Sequence, residues 1–315
     1  MHTTQSRKVR CRRIVSAALS ILTLAAAACQ VRDPVPLPAT ETEVPFIRAM
    51  TIEPESGTIY FTQPQVDGFG VWTLDRAAST MIRVAEGEFE RIVYSEHHGA
   101  VLASGGARIT TLEGDLIYEH NEAIFEFDVG PNGDLWILDT ANVISHIVAD
   151  GEVVATFESP EIALEDIAVA DDGTVLVARF MFVWRVDASA GSLELIGGGS
   201  GTHINRLDLP APVYLTDVEL AMIANEHLTS AGNRFWISTT GAMIAISTDG
   251  VVDYDLTTRR GTGTLTLMTS GGAVAATPNG LWVAANLVGP GSSAAILEFS
   301  PPYGDEAPVV AGILE

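Results

Sequence analysis

The chain has 315 residues, 47% of them hydrophobic, with 40 acidic against 17 basic side chains and a formal charge of −23 at pH 7. Five of the basic residues fall in the first thirteen positions, so beyond them twelve arginines and no lysine face all 40 acids, a formal charge of −28. Such an excess repels phosphate backbones and anionic lipid heads, which argues against nucleic acid as a partner, and the missing lysine excludes Schiff-base chemistry.

Arg7, Lys8, Arg10, Arg12 and Arg13 precede an apolar run from Ile14 to Ala28 that is interrupted only by Ser16, Ser20 and Thr23. A charged start, about fifteen apolar residues and a small-residue end predict a signal peptide over 1–28, since the run is too short for a stable membrane span. The next residue, Cys29, resembles the diacylated cysteine of bacterial lipoproteins, although Ala26 stands where that family prefers leucine. Lipidation would hold the protein at the cell envelope, in the periplasm or at the cell surface, touching the membrane through the anchor alone. Cleavage by ordinary signal peptidase after Ala28 would secrete it instead. Cys11 and Cys29 are the only cysteines, so the mature domain has no disulfide, no thiol nucleophile and no cysteine zinc site. The segment 29–45 carries four prolines among small and polar residues and reads as an extended tether.

From 46 to 315 a unit recurs: an apolar strand, a polar turn ending in glycine, a strand with an aromatic residue, then two more strands. Copies begin at Arg48, Arg91, Phe125, Asp166 and Ala273, and a fifth copy ends near Ser238. The turn glycines Gly57, Gly99, Gly133 and Gly173 are 42, 34 and 40 residues apart, and Gly280 follows 107 residues later, a gap that holds the fifth copy. Four short strands per unit at that period predict an all-β, six-bladed β-propeller, with seven blades or a β-sandwich as the alternatives. The final strand, within 307–314, either completes blade six alone or leaves room for a clasp from near Phe46.

The stretch DVGPNGDLWILDTANVISHIVADG, 128–151, resembles a repeat of the NHL, streptogramin-lyase-like or SMP-30-like six-bladed propellers, and GNRFWISTTGAMIAISTDG, 232–250, resembles blades of bacterial sensor proteins. The SMP-30 resemblance implies a divalent cation in the central channel, and Glu126, Asp166 and Asp217 are the carboxylates placed to hold Ca²⁺ or Mg²⁺. The residues by themselves point to no cofactor. Signatures such as G-x-S-x-G, H-E-x-x-H and the Walker loop are absent. Links between blades and turns between second and third strands converge on one channel mouth, which makes Asp67, His120, Glu122, Asp139, Asn142, Glu165, Arg179, His203, Asn205 and Asn286 the binding candidates there. His97 and His98 fall in a first hairpin and point away from that mouth. Trp72, Trp136, Trp184, Trp236 and Trp282 recur at blade positions as core residues. The leading expectation is a non-catalytic propeller that binds a protein, peptide or glycan, and the alternative is a metal-dependent lactonase or lyase.

Overall fold

The structure is a computed structural model, and it describes residues 37–39, 47–65, 68–158, 163–179, 182–198, 212–217, 228–239, 242–257, 268–287, 294–301 and 309–312. Cys29, Asp67, His203 and Asn205 lie outside the described residues. Among the described residues no helix is long and apolar enough to cross a membrane, and the one helical turn of note is a 3₁₀ turn at Leu215–Asp217.

Six antiparallel sheets of consecutive strands make six blades. Blade one is β2 (Met50–Ile52), β3 (Ile59–Gln65), β4 (Gly68–Asp75) and β5 (Thr80–Glu86). Blade two is β6 (Ile92–Ser95) to β9 (Leu116–Glu119), with β7 (Ala100–Gly105) and β8 (Arg108–Thr111) between them. Blade three runs through β10 (Ile124–Val129), β11 (Leu135–Asp139), β12 (Val143–Ile147) and β13 (Val153–Glu158). Blade four consists of β14 (Asp166–Val169), β15 (Val175–Arg179), β16 (Phe182–Asp187) and β17 (Ser192–Gly198). Blade five is β18 (Leu228–Ala231), β19 (Arg234–Thr239), β20 (Ala242–Ser247) and β21 (Val252–Thr257), and blade six is β22 (Met268–Thr277), β23 (Gly280–Leu287), β24 (Ala294–Phe299) and β25 (Val309–Gly312).

Where side chains are described, burial falls from the inside of a blade to the outside. The second strand β11 is buried at all five residues, because blades stack on both of its faces, whereas the fourth strand β13 is largely exposed. Second strands therefore read as continuous apolar runs and lose the alternation of a one-sided sheet. All five tryptophans are buried, at 1–7% exposure. A bulge recurs in all six blades: the fourth strand carries one extra residue against the third, at Val84, Ile117, Val154, Ile196, Asp253 and Val310. A bulge adds local twist to the strand that carries it.

Blade six is completed by β25, its own C-terminal strand, and among the described residues no strand is shared across the ring closure. The seam with blade one is made by side chains. Met50, Ile59, Phe61, Trp72 and Leu74 pack with Ala275, Trp282 and Ile296, while Arg76 pairs with Glu298 and lies over the Trp282 ring at 5.5 Å. Within the segment read as a tether, β1 (Leu37–Pro38) instead joins β5 as a fifth strand on the outer edge of blade one, and Ala39 donates to the Ser79 carbonyl at 2.8 Å.

Candidate functional site

The first strands β2, β6, β10, β14, β18 and β22 bring the six blades together around a cavity of about 530 Å³. Thr51, Tyr94, Asp128, Ala170, Ser230 and Ala276 represent one lining residue from each blade. The lining comes from the ends of first strands and from the turns into second strands, so this is the mouth opposite the one formed by the links between blades. Glu96, His97 and Asp171 stand on its wall with Pro54, Pro131 and Pro278, and among the described residues no lysine or arginine lines it. Burial, and then the carboxylates of Glu53, Glu55 and Glu96, push the Tyr94 phenol above its ordinary range, in keeping with the negative field at this mouth. The ring of His97 lies against Gly133 of the next blade, where a side chain would collide with it. His98 is turned inward, its Nδ1 2.9 Å from Ser95 Oγ, and burial and then His97 lower its pKa.

First strands of neighbouring blades splay apart and cannot form a ladder, so side chains satisfy their backbone groups. The Tyr94 amide donates to Thr51 Oγ1 (2.9 Å), the Val169 amide to Asp128 Oδ2 (2.7 Å) and the Leu228 amide to Asp166 Oδ2 (2.7 Å). Ser230 Oγ returns a bond to the Val169 carbonyl (2.5 Å). Each of these bonds joins one blade to the next, and a buried amide without such an acceptor would cost about 1–3 kcal/mol. Arg91, just before β6, extends further. Its Nε lies 3.4 Å from Glu126 Oε2 and its Nη2 donates to the Leu228 carbonyl at 3.4 Å, which links blade two to blades three and five. Arg91, Glu126, Asp128 and Asp166 are all buried, at 1–8% exposure, and Asp128 connects this group to the cavity wall. Desolvation raises the Asp128 pKa to about 6, against the opposing pull of Arg91 and of two amide donors.

No family model matches the chain, and no curated protein does. Solved structures do. One of unknown function from Bacteroides thetaiotaomicron is 10% identical over 85% of this chain and 72% of its own, with a TM-score of 0.59. Regucalcin, a calcium-binding protein from Agrobacterium tumefaciens, is 15% identical over 88% and 94%, with a TM-score of 0.54. An auxiliary nutrient binding protein, also from Bacteroides thetaiotaomicron, is 10% identical over 78% and 67%, with a TM-score of 0.52. The fold is a six-bladed β-propeller.

The divalent cation implied by the SMP-30 resemblance raises the question of whether the residues expected to hold one fit it. As the structure places them, those carboxylates are engaged elsewhere or lie apart. Asp217 is exposed on the 3₁₀ turn, Glu126 is paired with a buried guanidinium, and both Asp166 oxygens accept backbone amides, from Ile167 (2.8 Å) and Leu228. Among the described residues no three histidine, cysteine or acidic side chains converge on one point. Glu126 and Asp166 share the channel interior, but with Arg91 and without Asp217.

The candidates at the other mouth make local pairs. His120 Nε2 lies 3.2 Å from Asp139 Oδ2, the Val143 amide donates to Asp139 Oδ1, and Arg179 Nε lies 3.9 Å from Glu165 Oε1. Asn142, in a left-handed conformation (φ 65°), accepts the Leu164 amide at 2.7 Å. These contacts brace the turn after β11 and the links into β10 and β14. Glu122 is exposed, and Asn286 lies on β23. His146 is held by Asp134 at 2.8 Å and stacks on Trp136 at 4.1 Å. Tyr94, Glu96, Asp128 and Asp171 were not among the candidates read from the sequence, and His97 stands, as expected, at the mouth away from the links between blades. The readable signal was the polar run Y-S-E-H, 94–97, at the end of β6 and in the turn that follows.

Proposed function

We propose that this protein is an exported propeller, held at the bacterial envelope through Cys29, that binds a peptide or glycan segment, free or displayed on an envelope protein, at the mouth ringed by its first hairpins. One observation carries the reading: a cavity of about 530 Å³ to which every blade contributes. That size suits a ligand of a few residues or sugars. The wall offers one aromatic ring, several hydroxyls and a negative field, a combination that favours neutral or cationic ligands over anionic ones. A nutrient-binding protein among the fold neighbours is in keeping with a binding role. The metal-dependent lactonase or lyase reading is weaker, because its expected ligands are engaged with Arg91 and with backbone amides.

The test is a screen of glycan and peptide arrays with the purified protein, followed by calorimetry of hits on Tyr94→Ala and Glu96→Gln. Loss of roughly tenfold or more in affinity for Tyr94→Ala, with its fold intact, supports the reading; a stacking contact of this kind contributes about 1 kcal/mol or more. Binding that survives both substitutions, or turnover of a lactone, refutes it.

A further inference from the structure

We infer that Arg91 is the resident cation of this propeller's channel, a covalently attached charge that does the work a bound divalent metal would otherwise do. The guanidinium comes from blade two, meets the Glu126 carboxylate of blade three at 3.4 Å and hydrogen-bonds the Leu228 carbonyl of blade five. Asp166 of blade four holds the amide of that same Leu228, so the charged group and the carboxylates join four consecutive blades around one residue. The Arg91 and Glu126 side chains are 7% and 1% exposed, respectively. Buried carboxylates from several blades demand positive charge, and a metal is one source of it. A guanidinium is another: it is charged at every accessible pH, and its fork of donors reaches several acceptors at once.

A divalent ion drawn to Glu126 would stand beside this fixed charge in a poorly screened interior, where like charges repel steeply. Arg91 therefore sets positive charge against Glu126 without a metal.

The experiment uses the purified protein in two arms. In the first, melting curves and calorimetry are recorded with EDTA, Ca²⁺, Mg²⁺ and Zn²⁺; the melting temperature is expected to stay within about 1 °C throughout, since a ligand that does not bind the native state cannot shift it. Stoichiometric binding that disappears in Glu126→Gln would overturn the inference. In the second, Arg91→Met is compared with Arg91→Met/Glu126→Gln and with Arg91→Lys. The single loss of charge should lower the melting temperature by on the order of 10 °C, or prevent folding, because it leaves a buried carboxylate without its counter-charge. Neutralising Glu126 in the same chain should recover most of that loss, and Arg91→Lys should remain folded and indifferent to metals. If the double variant is no more stable than Arg91→Met, the guanidinium is not serving as counter-ion and the inference fails.

Discussion

Asp128 makes stability depend on pH in the direction opposite to that of an ordinary paired carboxylate. Its carboxyl accepts the Val129 and Val169 amides, faces Arg91 and Asp166, and titrates near 6 when folded against an ordinary 3.8. The folded state thus holds this proton more tightly than the unfolded chain does, and the stability it contributes is complete below pH 3.8 and lost as pH rises through about 6. The full difference is roughly 3 kcal/mol, of which about 2 kcal/mol disappears between pH 4.5 and 7.5. A net charge of −23 adds its own pH dependence through general repulsion, so a variant has to isolate the effect. Asp128→Asn keeps one carbonyl oxygen for one amide and cannot titrate. Urea unfolding of both proteins across that pH range should show the stability difference moving by about 2 kcal/mol in favour of the variant as pH rises. A difference that stays flat to within about 0.5 kcal/mol, or that moves towards the native protein, would show that burial does not dominate at this carboxyl.

Asp166→Ala removes the acceptor from the Ile167 and Leu228 amides at the seam between blades four and five, and should cost about 2–5 kcal/mol in urea unfolding, with Asp166→Asn recovering part. A loss under about 1 kcal/mol would mean that water replaces the carboxylate. Gly133→Ala meets both a positive φ of 81° and the His97 ring, and a loss of about 1–3 kcal/mol in thermal melts is expected. Adding His97→Ala should return the steric share and leave the backbone share; a strictly additive double variant would refute the contact. Asn142→Ala should cost about 1–2 kcal/mol, combining a residue at φ 65° with loss of the acceptor for the Leu164 amide. Asn142→Gly separates the two effects, since it keeps the backbone at ease and loses only the bond, and equal losses from both substitutions would leave no backbone share.

The blades were legible because each turn glycine sits between strands whose apolar residues must be buried. Gly57, Gly99, Gly133 and Gly173 all adopt positive φ, as a tight hairpin requires. The channel interior was half legible. Glu126 and Asp166 stood out as carboxylates at equivalent places in adjacent blades, and both are buried near the axis. Their counter-charge was not legible, because Arg91 precedes the strand by one residue and only the packing of three blades carries its side chain across to Leu228. The general expectation favours the loop-rich mouth, whereas the candidates described there, His120, Asp139, Asn142 and Arg179, spend their polar groups bracing turns. The strand at Leu37–Pro38 left no mark in composition, since a proline-rich stretch can pair at a sheet edge once a partner presents itself.

A propeller keeps six sheet edges on its circumference, each a template on which a foreign strand could grow into an aggregate. Lysines placed along such edges are a common deterrent, and this chain has none after Lys8. The extra residue in every fourth strand supplies another: a kinked, twisted margin offers no straight run of donors and acceptors to an incoming chain. Val84 and Val154, exposed at 45% and 48%, are the visible cost of that irregularity, apolar residues pushed out of register into water.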